Sequence, residues 1–297
     1  MKLRILSTLG LWFSIMIAVA VFSSEAVAWL AAIATALTQW ELYTMFERMG
    51  YQSYKKTGVT CGLFIVLGAY YFPALESGVE IFALAFVVLC LVIQARSMVA
   101  GRLSSFMPTI FGVVYVPFML QFFVSLLQLV EKSGYPDNTG IFLCVWIVAA
   151  AKFTDVGGLL LGKRYGKNKL APHISPGKTW EGVIGGVFVS ALISVILVVV
   201  NSAFDNADMF HVDLPKDFSW WMAGLLAMPI AMVSVASDLI ESSFKRSANV
   251  KDSGSIIPGI GGVFDLTDSV ILCAPVGYLL LKYFVIDWNF AALLPDL

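Results

Sequence analysis

The chain has 297 residues, 59% hydrophobic and 13% charged, with a formal net charge of −1 and a mean hydropathy of +0.85. Soluble domains carry about 25% charged residues, so these values exclude an ordinary water-soluble globule and predict a polytopic membrane protein. Cys61, Cys90, Cys144 and Cys273 all fall in apolar segments without metal-ligand spacing, which excludes a disulfide framework and leaves small buried hydrophobes.

A spanning helix needs about 20 mostly apolar residues. Taken in order, the runs 5–23, 27–46, 57–73, 79–95, 106–130, 139–161, 182–201, 219–243 and 264–286 qualify, so the expectation is an all-α protein with about nine transmembrane helices. Lys2, Arg4, the first run and Ala26-Val27-Ala28 have the outline of a signal peptide, but apolar sequence resumes at once through Ala36, which predicts a retained first helix. Residues 1–138 read as an N-terminal membrane region of about five helices. Residues 139–297 read as the catalytic membrane region, with polar loops at 162–180 and 244–263.

Lys and Arg concentrate in cytoplasmic loops. A cytoplasmic N-terminus places fifteen of the 19 basic residues on that side, including all those of the two polar loops. Loop 202–217, with Asp205, Asp208 and Asp213, then lies outside, and Trp220-Trp221 anchors the outer interface. Within the spans, Glu41 and Lys152 are expected to pair with one another or, as the alternative, to line a headgroup path.

The first polar loop packs Lys163, Arg164, Lys167, Lys169 and Lys178 into sixteen residues, and Ser175-Pro176-Gly177-Lys178-Thr179 leads straight into a helix. Free N–H groups at a helix start beside a lysine make a phosphate site. Gly177-Lys178-Thr179 imitates the end of a P-loop, but the glycine that motif needs is Pro172, so no ATPase is implied. His173 reads as a solvated loop residue.

The second polar region, 237–268, holds Asp238, Glu241, Asp252, Asp265 and Asp268 with four glycines. Asp238 and Glu241 end one apolar run, and Asp265 and Asp268 begin the next. Spacing of i, i+3 places each pair on one helix face. Charge in a membrane segment is costly and marks function by default. Four acids converging at one membrane face call for a cation, so a metal-dependent site for a phosphate-bearing substrate is predicted.

At these residues the chain resembles the phosphatidate cytidylyltransferase (CDP-diacylglycerol synthase) family. The family pattern S-x-x-K-R-x-x-x-x-K-D-x-G, then P-G-H-G-G-x-x-D-R-x-D, is met by Ser242, Lys245, Arg246, Lys251, Asp252, Gly254, Pro258, Gly259, Gly261, Gly262, Asp265 and Asp268. Upstream, Asp155, Gly162, Gly166, Lys167, Leu170, Pro172, Ser175, Pro176, Lys178, Thr179, Glu181 and Gly182 match as well. Two positions depart: Ile260 stands for the family histidine and Leu266 for the family arginine.

The resemblance implies conversion of CTP and phosphatidate to CDP-diacylglycerol and pyrophosphate. It implies Mg²⁺, with a second cation possible, in a bacterial inner membrane with the active site facing the cytoplasm. Its partners are CTP, phosphatidate and the bilayer, in a homodimer and without nucleic acid. By position in the pattern, Asp238 and Asp265 are the leading metal ligands, with Asp268, Glu241 and Asp252 as second candidates. Lys178, Lys245, Arg246 and Lys251 would bind the triphosphate or the lipid phosphate. Lys163, Lys167, Ser175, Thr179, Glu181, Gly261 and Gly262 complete the expected substrate contacts. Two other readings stay open, a non-catalytic relative that binds CTP or lipid and a transporter.

Overall fold

Backbone surrounded by lipid must satisfy its own hydrogen bonds, which makes apolar runs helical. The computed structural model describes residues 2–72, 79–100, 103–203, 212–256 and 261–286. The helices are α1 (Lys2–Arg48), α2 (Lys55–Tyr71), α3 (Val79–Ala100), α4 (Phe106–Tyr115), α5 (Pro117–Lys132), α6 (Asp137–Tyr165), α7 (Trp180–Ala203), α8 (Trp220–Ser247), α9 (Phe264–Ile271) and α10 (Cys273–Leu281). A π turn, Lys282–Ile286, follows α10. Among the described residues, six helical stretches are long and apolar enough to cross a membrane: Ile17–Arg48, Phe106–Lys132, Asp137–Tyr165, Trp180–Ala203, Trp220–Ser247 and Phe264–Ile286. Ile184 (70% exposed) and Phe188 (66%) point outward from α7, as lipid-facing residues do. The chain is an integral membrane protein of mostly helical fold.

Two runs expected to be separate helices are joined and two expected to be single are broken, each at an identifiable place. The first two runs join in α1 across Ser23, whose φ of 49° and ψ of −130° interrupt the helix. Pro117 separates α4 from α5, because its ring has no N–H to donate and is suited to the first position of a helix. Pro275 lies in the first turn of α10 and cannot donate to the Ile271 carbonyl, so the helix restarts after Leu272.

The expectation of an all-α chain needs one correction. Within 162–180, β1 (Lys169–Ala171) and β2 (Ser175–Thr179) form an antiparallel hairpin with Lys169 opposite Thr179 and Ala171 opposite Ser175. The cause is proline. Ala171 and Ser175 each precede one, and a residue before proline is driven out of the helical region into extended backbone.

Helices α6 and α7 flank this hairpin and meet along glycines. A Cβ on Gly158 would sit 3.5 Å from the Gly182 oxygen, and one on Gly162 would sit 3.4 Å from the Gly182 Cα. Small residues four apart let membrane helices approach closely. At the hairpin end of this seam, Thr179 Oγ1 accepts the Gly182 N–H at 3.2 Å and so caps α7. At the other end of α6, Thr139 Oγ1 donates to the Asp213 carbonyl at 2.7 Å. A helix of 29 residues is about 43 Å long. The 162–180 loop and the described part of loop 202–217 therefore lie at opposite ends of the molecule.

Candidate active site

Helical periodicity places Asp238 and Glu241 on one face of α8, and α9 lays Asp268 against them. One carboxylate oxygen from each of these three residues lies within 4.8 Å of the other two. Three lysines from different elements surround the trio. Lys178 Nζ of β2 is 2.6 Å from Asp238 Oδ2. Lys245 Nζ, one turn beyond Glu241 on α8, is 2.7 Å from Glu241 Oε2 and 3.0 Å from Asp265 Oδ1. Lys152 of α6 donates to Asp268 Oδ1 at 3.1 Å and to Ser269 Oγ at 2.6 Å. Asp155, one turn further along α6, is an electrostatic neighbour of Asp238, Asp268 and both Lys152 and Lys178.

Five carboxylates thus face three ammonium groups among the described residues, a formal excess of two acids. Glu241 is a member left without hydrogen-bond donors. Its side chain is fully buried, and neither carboxylate oxygen accepts a hydrogen bond. The 2.7 Å approach of Lys245 is an ion contact without hydrogen-bond alignment. A buried carboxylate without donors is costly. A divalent cation held by Asp238, Glu241 and Asp268 would satisfy these oxygens and cancel the excess charge, and hard oxygen ligands suit Mg²⁺. The residues present therefore fit a metal ion.

A cleft of about 650 Å³ opens beside the acids, a size suited to a small-molecule ligand. Lys163, Lys169, Ser175, Lys178 and Thr179 line it, and Asp155 and Asp238 lie at its acidic side. Of the expected substrate contacts, Lys163, Ser175, Lys178 and Thr179 are brought together here. Lys167 and Glu181 do not line the cleft. Glu181 accepts the N–H groups of Lys167 (3.1 Å) and Asn168 (3.2 Å) and the Asn168 side-chain amide (2.7 Å), which fastens the start of the hairpin to α7. Arg246 Nε donates to the Ile174 carbonyl at 3.3 Å, tying the hairpin turn to the end of α8. Lys251 and Asp252 are exposed on the following loop. Gly261, with φ of +127°, and Gly262 turn that loop into α9. Gly262 and Ser253 each donate a backbone N–H to Asp265 Oδ2, at 2.8 and 3.0 Å. Asp265 is thus one step aside from the trio, between Lys245 and the loop. Ile260, Pro258 and Gly259 lie outside the described residues. Leu266 is half-buried beside Asp265.

The expected Glu41–Lys152 pair does not form. Lys152 reaches Asp268, while Glu41 accepts hydrogen bonds from Ser253 Oγ and from the Val263 and Phe264 N–H groups. Helix α1 brings Glu41 to the start of α9, whereas Lys152 faces the acid trio from α6. Sequence reasoning gave Lys152, Asp155 and Tyr115 no role in the site. Lys152 and Asp155 carry a usable signal, the same i, i+3 spacing as the acid pairs. Tyr115 carries none: it comes from the N-terminal region and brings a buried hydroxyl toward Ser237, Glu241 and Asp268.

Fold and site together define a polytopic helical membrane protein with an acid–lysine centre beside a basic cleft. The chain belongs to the Cytidylyltransferase family, whose model matches residues 2–284. It is similar to proteins named phosphatidate cytidylyltransferase from several bacteria. That of Chlamydia muridarum is 32% identical over 209 residues, 67% of this chain and 62% of the relative. That of Haemophilus influenzae is 34% identical over 158 residues, 53% and 52% of the two chains. That of Staphylococcus aureus is 33% identical over 202 residues, 68% of each. The chain thus spans less than two thirds of the first two relatives and just over two thirds of the third.

Proposed function

We propose that the protein is a phosphatidate cytidylyltransferase, joining CTP and phosphatidate into CDP-diacylglycerol with release of pyrophosphate. The observation that carries this reading is the trio Asp238, Glu241 and Asp268 at the end of membrane helices, with Asp238 lining the cleft beside Lys178. In the reaction, an oxygen of the lipid phosphate forms a bond to the α-phosphorus of CTP, and the bond from that phosphorus to the β-phosphate bridging oxygen breaks. The attacking phosphate monoester is ionised near neutral pH, so no general base is required. The obstacle is repulsion between anions, and catalysis reduces to positioning and charge neutralisation.

A bound Mg²⁺ would supply Lewis-acid stabilisation of the phosphoryl oxygens and the leaving group. Asp238, Glu241 and Asp268 would hold it, with Asp265 as a further ligand. Lys178 and Lys245 now neutralise these same carboxylates. Released from them, their ammonium groups would pair with phosphate oxygens in the cleft, and Lys163 and Lys169 would draw the nucleotide in. The acyl chains stay in the bilayer, so the headgroup enters from the side.

The same reading includes nine membrane passes and a site facing the cytoplasm of a bacterial inner membrane. The positive-inside bias supports both, and the bacterial relatives support the membrane. A homodimer rests on family resemblance alone, and sedimentation of the purified protein tests it. The deciding experiment for the activity supplies purified protein with labelled CTP, phosphatidate and Mg²⁺. Labelled nucleotide should become lipid-extractable with matching pyrophosphate release. Pyrophosphate without lipid-linked nucleotide, or neither product, would overturn the assignment.

A further inference from the structure

We propose that Glu41, on the first helix, is a positioning residue for the acidic site: it fastens Ser253 and the start of α9 so that Asp265 and Asp268 keep their places when a cation is bound. This rests on the metal-dependent reading given above. Glu41 is only 4% exposed. Its Oε2 accepts from Ser253 Oγ and Phe264 N–H, both at 2.9 Å, and its Oε1 accepts from Val263 N–H at 3.1 Å. Val263 and Phe264 are the cap and first residue of α9, where backbone N–H groups lack helical partners and a negative charge is favourable. The chain is moulded to this carboxylate, since a Cβ on either Gly254 or Gly262 would run into it.

Two carboxylates share one short segment. Asp265 takes the backbone N–H groups of Ser253 and Gly262. Glu41 takes the Ser253 hydroxyl and the next two N–H groups after Gly262. Whatever draws Asp265 toward a cation weakens its grip on the loop, and Glu41 retains the loop through separate donors. Glu41 lies outside the acid trio and the cleft lining. Its influence is on where the ligands stand, and partners that orient metal ligands are worth about 10–100-fold in metal affinity.

The test uses the full chain purified in detergent, with Glu41→Gln and Ser253→Ala. The Glu41→Gln change would present an amide N–H₂ to a backbone N–H and lose one acceptor, while Ser253→Ala removes one of the three bonds. Mn²⁺ binding is followed by electron paramagnetic resonance without nucleotide, alongside the Mg²⁺ dependence of turnover and the unfolding temperature. For Glu41→Gln we expect Mn²⁺ affinity about tenfold weaker and half-saturating Mg²⁺ raised in proportion, with kcat at saturating Mg²⁺ largely kept. Ser253→Ala should shift both in the same direction by about threefold. Unchanged Mn²⁺ affinity in Glu41→Gln, whatever its unfolding temperature, overturns the proposal. If that variant does not fold, unchanged affinity in Ser253→Ala does so. A wild-type chain that binds no Mn²⁺ and turns over without divalent cation overturns the metal reading itself, a distinct result.

Discussion

Lys178 Nζ and Asp238 Oδ2 stand 2.6 Å apart, joining the hairpin to α8 across the mouth of the cleft. Both side chains are about four-fifths buried, so the pair is shielded and neither charge is cheaply left alone. A residue suited to phosphate and a residue suited to a cation neutralise each other. Nucleotide and metal therefore compete with this pair together and should assist one another's binding.

Removing Lys178 should act on nucleotide binding first. Lys178→Met is expected to raise the KM for CTP by about 10–100-fold, the size of a lost charge-assisted contact of ~1.5–3 kcal/mol. Lys178→Arg should recover part of it. Steady-state kinetics at saturating phosphatidate decide the matter. A KM within about twofold of wild type would place the triphosphate elsewhere.

Metal dependence should be complete. Chelation by EDTA should stop turnover and added Mg²⁺ should restore it. Asp238→Asn and Asp268→Asn should each lower kcat by about a thousandfold or more, equivalent to ~4 kcal/mol of transition-state stabilisation. Both variants should still fold in detergent, with some lowering of the unfolding temperature because each leaves a lysine without its partner. Full activity in EDTA, or in either variant, would falsify the metal assignment.

Side-chain size should matter in the α6–α7 glycine seam and not at the glycine of the hairpin. A Cβ on Gly182 would meet the Gly158 carbonyl oxygen at 2.9 Å and the Gly162 Cα at 3.2 Å, while one on Gly177 meets nothing within 4 Å. Gly182→Val should destabilise by about 1–3 kcal/mol, as overpacking does, and Gly177→Ala should leave the unfolding temperature unchanged. Thermal unfolding of the two purified variants checks the contrast.

Loops at the two ends of α6 should be reachable from opposite sides of the membrane. Asn168→Cys and Lys216→Cys, each in a background lacking Cys61, Cys90, Cys144 and Cys273, should react with an impermeant thiol reagent from opposite faces. Asn168→Cys should label from the cytoplasm. Labelling of both from one face contradicts the arrangement.

The two departures from the family pattern should tune the rate without setting it. Leu266 adjoins Asp265, whose charge already meets Lys245 at 3.0 Å, so a further cation there is not obligatory. Restoring the family residues with Ile260→His and Leu266→Arg should change kcat/KM by less than about a hundredfold, under ~3 kcal/mol. An unaltered chain that is silent and switched on by the double change would mark it as a non-catalytic relative.

Sequence alone settled the properties that depend on spacing along one chain. Runs of apolar residues determine membrane helices because lipid offers the backbone no partners. The i, i+3 interval sets Asp238 with Glu241 on one face of α8, as the 3.6-residue period requires. The crowding of acids and lysines into 162–180 and 237–268 pointed to a site there and to a phosphate-bearing ligand. Pro172 and Pro176 shape a hairpin within the 162–180 loop, and Pro117 and Pro275 break helices whose apolar composition runs on unbroken. Their effect is steric and local, but its outcome depends on what the freed backbone meets next.

Only the tertiary structure decided which charge faces which. Lys152 finds Asp268 and Glu41 finds the start of α9, although their positions within apolar runs made them look like each other's partner. The rotation of α9 about its axis sends Asp268 to Asp238 and Glu241, and leaves Asp265 with Lys245 and the loop. Helix period constrains neighbours on one helix and says nothing of the angle at which a second helix docks. That angle follows from packing, here from glycines that let α6 and α7 close on each other and from a carboxylate on α1 that holds α9 by its first turn.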